Sequence, residues 1–243
     1  MSIPSRCAVV FDCDGTLIPK NRSLCQVIDN AALTPKANAE MVKLRKYYLG
    51  RAVKGLLTVD EEADWLKKTL DTYIQHGLTR DRARGAVQSV ALRPGAKECL
   101  EWLHRSGVPT AIVSYGATPF IEKLLDANGA RRFVNSIYSA TLESDPETGR
   151  FHRYDHASLV LPVNKGEWSR HFADSKGIPH ENLIAVGDSG GDKFLGHLKE
   201  RRLGIAKDNA DAAKIAPFMG KVVITEDFVP VRRWLRRTMS LIK

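Results

Sequence analysis

Two aspartates stand two residues apart in Asp12-Cys13-Asp14-Gly15-Thr16-Leu17, directly after a short apolar run at residues 7–11. If that run is a strand of an open parallel sheet, both carboxylates sit beyond its carboxyl end, where such sheets bind ligands. A carboxylate there can attack phosphorus and form an acyl phosphate. A second one can give a proton to a leaving oxygen and then take one from water. This assigns Asp12 as nucleophile and Asp14 as acid and base, with Gly15 and Thr16 turning the backbone around a phosphoryl group. The plain alternative is an acidic turn after a strand.

Three further pieces agree with that chemistry in order along the chain. Val113-Ser114-Tyr115-Gly116 ends a second apolar run and offers the Ser114 hydroxyl to a phosphoryl oxygen. Lys165 stands at the start of a predicted helix, where its charge opposes the helix dipole. An ammonium in that unfavourable place is explained if it faces a phosphate and carboxylates. Gly187-Asp188-Ser189-Gly190-Gly191-Asp192 adds two acids on a glycine-rich loop after a third run. Asp12, the carbonyl of Asp14 and Asp188 form an all-oxygen set suited to Mg²⁺, with Asp192 as a ligand or as the partner of Lys165.

The elements that must position these residues are legible as short apolar runs at residues 7–11, 110–114, 183–187, 203–207 and 222–225. Continuous apolarity suits strands covered on both faces. Helices are predicted between them. Pro94 opens one that closes at Gly107, Thr118-Pro119 caps another, and Asn164 with Glu167 reads as a capping box. The alternation predicts an α/β fold: a Rossmann-like parallel sheet flanked by helices. Residues 19–92 break the rhythm with helix-compatible stretches at 36–49 and 61–73. They read as a smaller helical domain inserted after the first strand, leaving 1–18 and 93–243 as the core. A hairpin is expected within 141–155, around Asp145-Pro146-Glu147-Thr148-Gly149.

Composition bounds the remaining classes. The chain has 243 residues, 43% of them apolar, and no stretch long enough to span a bilayer. It opens without a signal-like pattern, which predicts a cytoplasmic protein. Cys7, Cys13, Cys25 and Cys99 form no metal-type pair and are expected to be reduced thiols. The net charge of +9 is spread along the chain apart from Arg232-Arg233-Trp234-Leu235-Arg236-Arg237. That run reads as a solvated helix face with Trp234 and Leu235 partly docked, in preference to a nucleic-acid patch.

Taken in order, the four motifs resemble the haloacid dehalogenase superfamily. The resemblance covers residues 7–18 and 93–225 and implies a magnesium-dependent phosphatase working through a phospho-aspartate. It places Asp12 as nucleophile and Asp14 as acid/base. Phosphate binding falls to Gly15, Thr16, Ser114, Tyr115, Gly116 and Lys165, and Mg²⁺ binding to Asp12, Asp14, Asp188 and Asp192. Dehalogenases and ATP-driven pumps of the superfamily lack the second carboxylate that Asp14 supplies here. The segment 165–206 is similar to the phosphoserine phosphatase branch, and an insertion at 19–92 implies a helical cap that favours a small-molecule phosphomonoester. The stretch Pro19-Lys20-Asn21-Arg22 lacks that branch's acidic residue, and the Ser-x-Gly-Asp form of the last loop is closer to some cytosolic nucleotidases. Phosphoserine, a nucleoside 5'-monophosphate and another metabolite phosphate all stand open. So do a phosphotransferase or mutase using the same intermediate and, from another class, a nucleic-acid-binding module. Arg45, Tyr47, Tyr48, Arg51 and Lys54 are candidate substrate contacts or an amphipathic surface.

Overall fold

A computed structural model of the protein describes residues 6–54 and 56–242. The apolar runs become parallel strands: β1 (Ala8–Phe11), β2 (Thr110–Ala117), β6 (Leu183–Gly187), β7 (Arg202–Ala206) and β8 (Lys221–Ile224). A further strand, β3 (Ser136–Ala140), joins them in one six-stranded sheet ordered β3-β2-β1-β6-β7-β8. β1 pairs with β2 through Val9↔Thr110 and with β6 through Val9↔Ile184, so it occupies the centre. The chain builds outward from β1 in one direction, then returns to its other side at β6. That reversal opens a crevice between the carboxyl ends of β1 and β6.

Alternation along β1 sends its side chains to two apolar layers. Ala8 and Val10 meet Phe172 and Ala173 of α7 (Lys165–Ser175), while Val9 and Phe11 join the layer holding α5 (Ala96–Arg105), α6 (Thr118–Ala127) and α9 (Val229–Ser240). Coverage on both faces is what makes these strands continuously apolar. α8 (Asn209–Ile215) fills the connection from β7 to the edge strand β8. The predicted hairpin forms from β4 (Leu142–Ser144) and β5 (Phe151–Tyr154).

Residues between β1 and β2 form α1 (Leu24–Ala32), α2 (Pro35–Val53), α3 (Val59–Gln75) and α4 (Arg80–Val87). Thr34 and Thr58 cap α2 and α3, the latter with a complete Thr58–Glu61 capping box. The helical segment shares the sheet's own core: Tyr73 meets Phe120 edge-on at 5.7 Å between centroids, and Phe120 meets Phe151 at 6.0 Å. The hairpin braces it further through Phe151 N–H to Leu78 O and Arg80 N–H to Gly149 O. Among the described residues, no helix is long and apolar enough to cross a membrane.

Four local expectations are corrected. β8 is an edge strand, with Ile224 49% exposed, so it is not covered on both faces. Asn164 does precede α7, but its side chain accepts from Leu161 N–H in the preceding 3₁₀ turn and makes no capping box with Glu167. Thr118 is the first residue of α6 and not its cap, because its hydroxyl turns to Ser139. Pro94 stands before the helix: Gly95, at φ 77°, holds the N-cap position and α5 starts at Ala96. The basic C-terminal run forms α9, with Leu235 fully buried and the guanidinium groups of Arg232 and Arg236 over the Trp102 ring.

Candidate active site

Asp12 continues the ladder past β1 by donating its N–H to Val186 O at 2.9 Å, which fixes its carboxylate over the crevice. Its Oδ1 accepts from Lys165 Nζ at 2.7 Å, and the same ammonium reaches Asp192 Oδ1 at 2.7 Å. All three side chains are buried. Burial alone would pull the Lys165 ammonium down, but Asp12 and Asp192 outweigh it and hold it above its ordinary pKa. Burial raises Asp12 well above the usual carboxylate range, with Lys165 opposing and Asp192 and Asp188 adding to it. Asp192 is held below that range, since Lys165 and the loop's N–H groups overcome its burial. The adverse helix-terminal position of Lys165 is thus explained by two buried anions.

The acidic loop is organised by Asp192. Its Oδ2 accepts from Asp188 N–H, Ser189 N–H and Ser189 Oγ, each at 3.0 Å. Gly187 is required beneath it, because a Cβ there would lie 2.6 Å from the Asp192 Cβ. Asp188 is oriented through both oxygens: Thr16 Oγ1 donates to Oδ1 at 3.3 Å and Lys20 Nζ lies 3.2 Å from Oδ2. Burial and Asp192 push Asp188 up to about 6, against Lys20. Gly15 has φ 79°, and any Cβ on it would collide with the Asp188 carboxylate. The loop after β1 and the loop after β6 therefore touch backbone to side chain.

Oxygens of Asp12, Asp188 and Asp192 lie within 4.8 Å of one another. With no thiolate or imidazole among them, this donor set fits a small hard divalent cation. Asp192 has its oxygens committed to Lys165 and to the loop, so its place is to orient the others. The Asp14 carboxylate is outside the cluster and turns to the helical segment. Its Oδ2 accepts from Ser23 Oγ at 2.8 Å and its Oδ1 from Leu24 N–H at 3.2 Å, at the first turn of α1. Burial raises its pKa, partly offset by those two bonds. A carboxyl held this way can keep a proton for a leaving group.

Asp12, Asp14, Ser114, Lys165 and Asp188 line one cavity of about 510 Å³. Ser114 Oγ accepts from Gly116 N–H at 3.2 Å, which makes a tight turn at the end of β2. Tyr115 and Gly116 line the same cavity, and the Tyr115 hydroxyl donates to the carbonyl of Glu62 on α3. The Thr16 hydroxyl serves Asp188. Of the residues singled out on the helical segment, Arg45 reaches the cavity; Tyr48 is buried and stacks on Trp65 at 5.5 Å, and Arg51 pairs with Glu61.

Several side chains at the site had no sequence signal. Lys20 donates to Asp188 O at 2.6 Å and to both oxygens of Asp211 at 2.8 Å, tying together the loops after β1, β6 and β7. Arg93, 2% exposed, donates to Gly15 O at 2.9 Å and to Thr225 O at 3.2 Å, and its N–H meets Leu17 O. It locks the loop after β1 where the helical segment rejoins the sheet. Asp29 is fully buried between Tyr73 Oη, at 2.9 Å, and Arg45.

The sequence matches haloacid dehalogenase-like hydrolases over residues 9–195. A phosphoserine phosphatase of Archaeoglobus fulgidus is 26% identical over 206 residues, covering 85% of this chain and 54% of that protein. A phosphoglycolate phosphatase of Pseudomonas fluorescens is 25% identical over 198 residues, covering 76% and 63%. The chain thus spans less than two thirds of each of these two relatives. Cytosolic 5'-nucleotidase IIIB bound to cytidine superposes with a TM-score of 0.78 at 19% identity, over 98% of this chain and 87% of that one. The matched family segment takes in β1 with Asp12, the Ser114 turn, Lys165 and the Asp188–Asp192 loop, and the protein belongs to the haloacid dehalogenase-like hydrolases.

Proposed function

We propose that the protein is a Mg²⁺-dependent phosphomonoester hydrolase that works through an aspartyl phosphate on Asp12. The observation that carries this is the Lys165 ammonium clamped between Asp12 and Asp192, with the half-buried Asp14 carboxyl on the wall of the same cavity. The Asp12 carboxylate attacks phosphorus while the bond from phosphorus to the leaving oxygen breaks. Asp14 gives its proton to that oxygen. In the second half, Asp14 takes a proton from water as the water oxygen attacks phosphorus. The acyl phosphate bond then breaks, and Asp12 and free phosphate return. Lys165 and Ser114 face the charge on the phosphoryl oxygens. Mg²⁺, held by Asp12, Asp188 and the Asp14 carbonyl, would neutralise phosphoryl charge and template the ester.

In this reading residues 19–92 act as a cap over the core formed by 1–18 and 93–243, and the cavity between them sets the size of the substrate. The tie from Tyr115 to Glu62 supports a closed arrangement. Phosphoserine and phosphoglycolate are the compounds in the relatives' names. A nucleoside 5'-monophosphate is the second reading, favoured by Trp65 on the cavity wall, which Tyr48 backs in a stack at 5.5 Å. Phosphate release from a panel of phosphomonoesters with Mg²⁺ tests the proposal, comparing the wild type with Asp12→Asn. Turnover that the variant loses, with acid-stable label trapped on Asp12, supports it. Transfer of phosphate to added alcohols in preference to water would replace hydrolase by transferase, and label on another residue would remove Asp12 as nucleophile.

A further inference from the structure

Every cation on the cavity wall already has a carboxylate partner. Lys165 is held by Asp12 and Asp192, and Lys20 by Asp188 and Asp211. Arg45, the basic residue of the roof, is paired with the fully buried Asp29. Glu62 is different. It lines the same cavity from the first turn of α3, and among the described residues its carboxylate has no hydrogen-bond or ion-pair partner. The cation whose field reaches it, Lys193, is exposed and is not part of the cavity wall. The Glu62 backbone is pinned to the core by the Tyr115 hydroxyl, one residue after Ser114. The first turn of α3 that carries this carboxylate is therefore tied to the strand end that carries Ser114, and both residues line the one cavity. Besides Arg45 and Asp29, the helical segment gives the cavity Trp65, Leu66, Met41, Leu49 and Leu57.

A second anion on the substrate would meet this roof with no unpaired cation to receive it and one unpaired carboxylate to repel it. A neutral or positively charged organic group would meet apolar side chains, Trp65 among them, and an acceptor. We infer that Glu62, with Trp65, selects phosphomonoesters whose organic part is flat or apolar and neutral or cationic, and rejects those that carry a carboxylate. This rests on the phosphatase reading and narrows its substrate class away from phosphoglycolate.

The test is a matched series in which the leaving group stays constant: benzyl phosphate, 4-(aminomethyl)benzyl phosphate and 4-carboxybenzyl phosphate, with phosphoglycolate and p-nitrophenyl phosphate alongside. In the wild type with Mg²⁺, kcat/KM for the carboxy ester should fall at least tenfold below that of the aminomethyl ester, mainly through KM. In Glu62→Gln that ratio should shrink at least fivefold, and in Glu62→Lys it should invert, with circular dichroism and melting unchanged. Equal turnover of the carboxy ester by the wild type, or an unchanged ratio in Glu62→Gln, would overturn the inference while leaving the phosphatase intact. No phosphate from any ester, p-nitrophenyl phosphate included, would overturn the phosphatase reading itself and the inference with it.

Discussion

The Tyr115 hydroxyl of β2 donates to the carbonyl oxygen of Glu62 on α3, joining the turn that carries Ser114 to the helical segment above it. A phenol oxygen with an apolar ring beneath it can act as a latch, since breaking the bond exposes little surface. Tyr115→Phe removes that donor alone. A neutral hydrogen bond of this kind contributes about 1 kcal/mol. The variant should therefore fold normally while the first turn of α3 exchanges its amide hydrogens faster. KM should rise several-fold with kcat changed less than about twofold, as for loss of binding energy shared by ground and transition states. Unaltered exchange at residues 59–66 and an unaltered KM would mean that the bond does not hold the segment down.

Lys165 satisfies two buried carboxylates at once, so its removal has a cost beyond catalysis. Lys165→Met leaves Asp12 and Asp192 facing each other without a counter-charge, and breaking a buried ion pair on one side costs about 3–5 kcal/mol. Urea denaturation should show a loss of that order, and phosphatase activity should fall by about a thousandfold or more. Adding Asp192→Asn to Lys165→Met should recover part of the stability and none of the activity. If the single variant were as stable as the wild type, the two carboxylates would have to share a proton in place of the ammonium.

Gly15 and Asp188 are in contact across the crevice, which makes the metal site sensitive to a methyl group. Gly15→Ala forces a side chain at φ 79° into the Asp188 carboxylate. The wild type should gain stability when Mg²⁺ is added, by about 2.7 kcal/mol at a hundredfold excess over Kd. Gly15→Ala and Asp188→Asn should each lose most of that gain, read as a missing thermal shift. A full shift in Asp188→Asn would place the ion elsewhere.

The groups that were legible in the sequence share a reason. Asp12, Asp14, Ser114 and Asp188 each follow an apolar run, and the end of a buried strand can be read from its own few residues. Lys165 was legible because a lysine opposes the dipole of the helix it starts. Lys20 had no such signal: its partners Asp188 and Asp211 are 168 and 191 residues away, and only the sheet order brings the three loops together. Glu62 has the pattern of an ordinary first-turn acid beside the Thr58–Glu61 capping box, and its place on the cavity wall comes from the packing of α3 against Tyr115. Asn164 failed in the opposite way. Its local signature was right for a cap, but the 161–164 turn used the side chain first. β3 was missed because Ser136, Tyr138 and Ser139 interrupt the apolar run that marks the other buried strands.

Asp29 gives a pH dependence that can be separated from that of Asp12, Asp14 and Asp188. Its carboxyl lies between Tyr73 of α3 and Arg45 of α2, with Cys25 of its own helix nearby, and is fully buried. Burial raises its pKa from 3.8 to about 6, against the pull of Tyr73 and Arg45. The folded chain therefore holds a proton on Asp29 between about pH 4 and pH 6, where the unfolded chain has lost it. Stability from this group is present below that window and is lost as pH rises through it. At 1.36 kcal/mol per unit, the loss is on the order of 3 kcal/mol by neutral pH. Asp29→Asn has no such titration. The stability of the variant relative to the wild type should climb by that amount from pH 4 to pH 7 and stay level above it, measured by urea denaturation of both proteins at each pH. Parallel curves for the two would show that Arg45 compensates the buried charge completely and that Asp29 is ionised throughout.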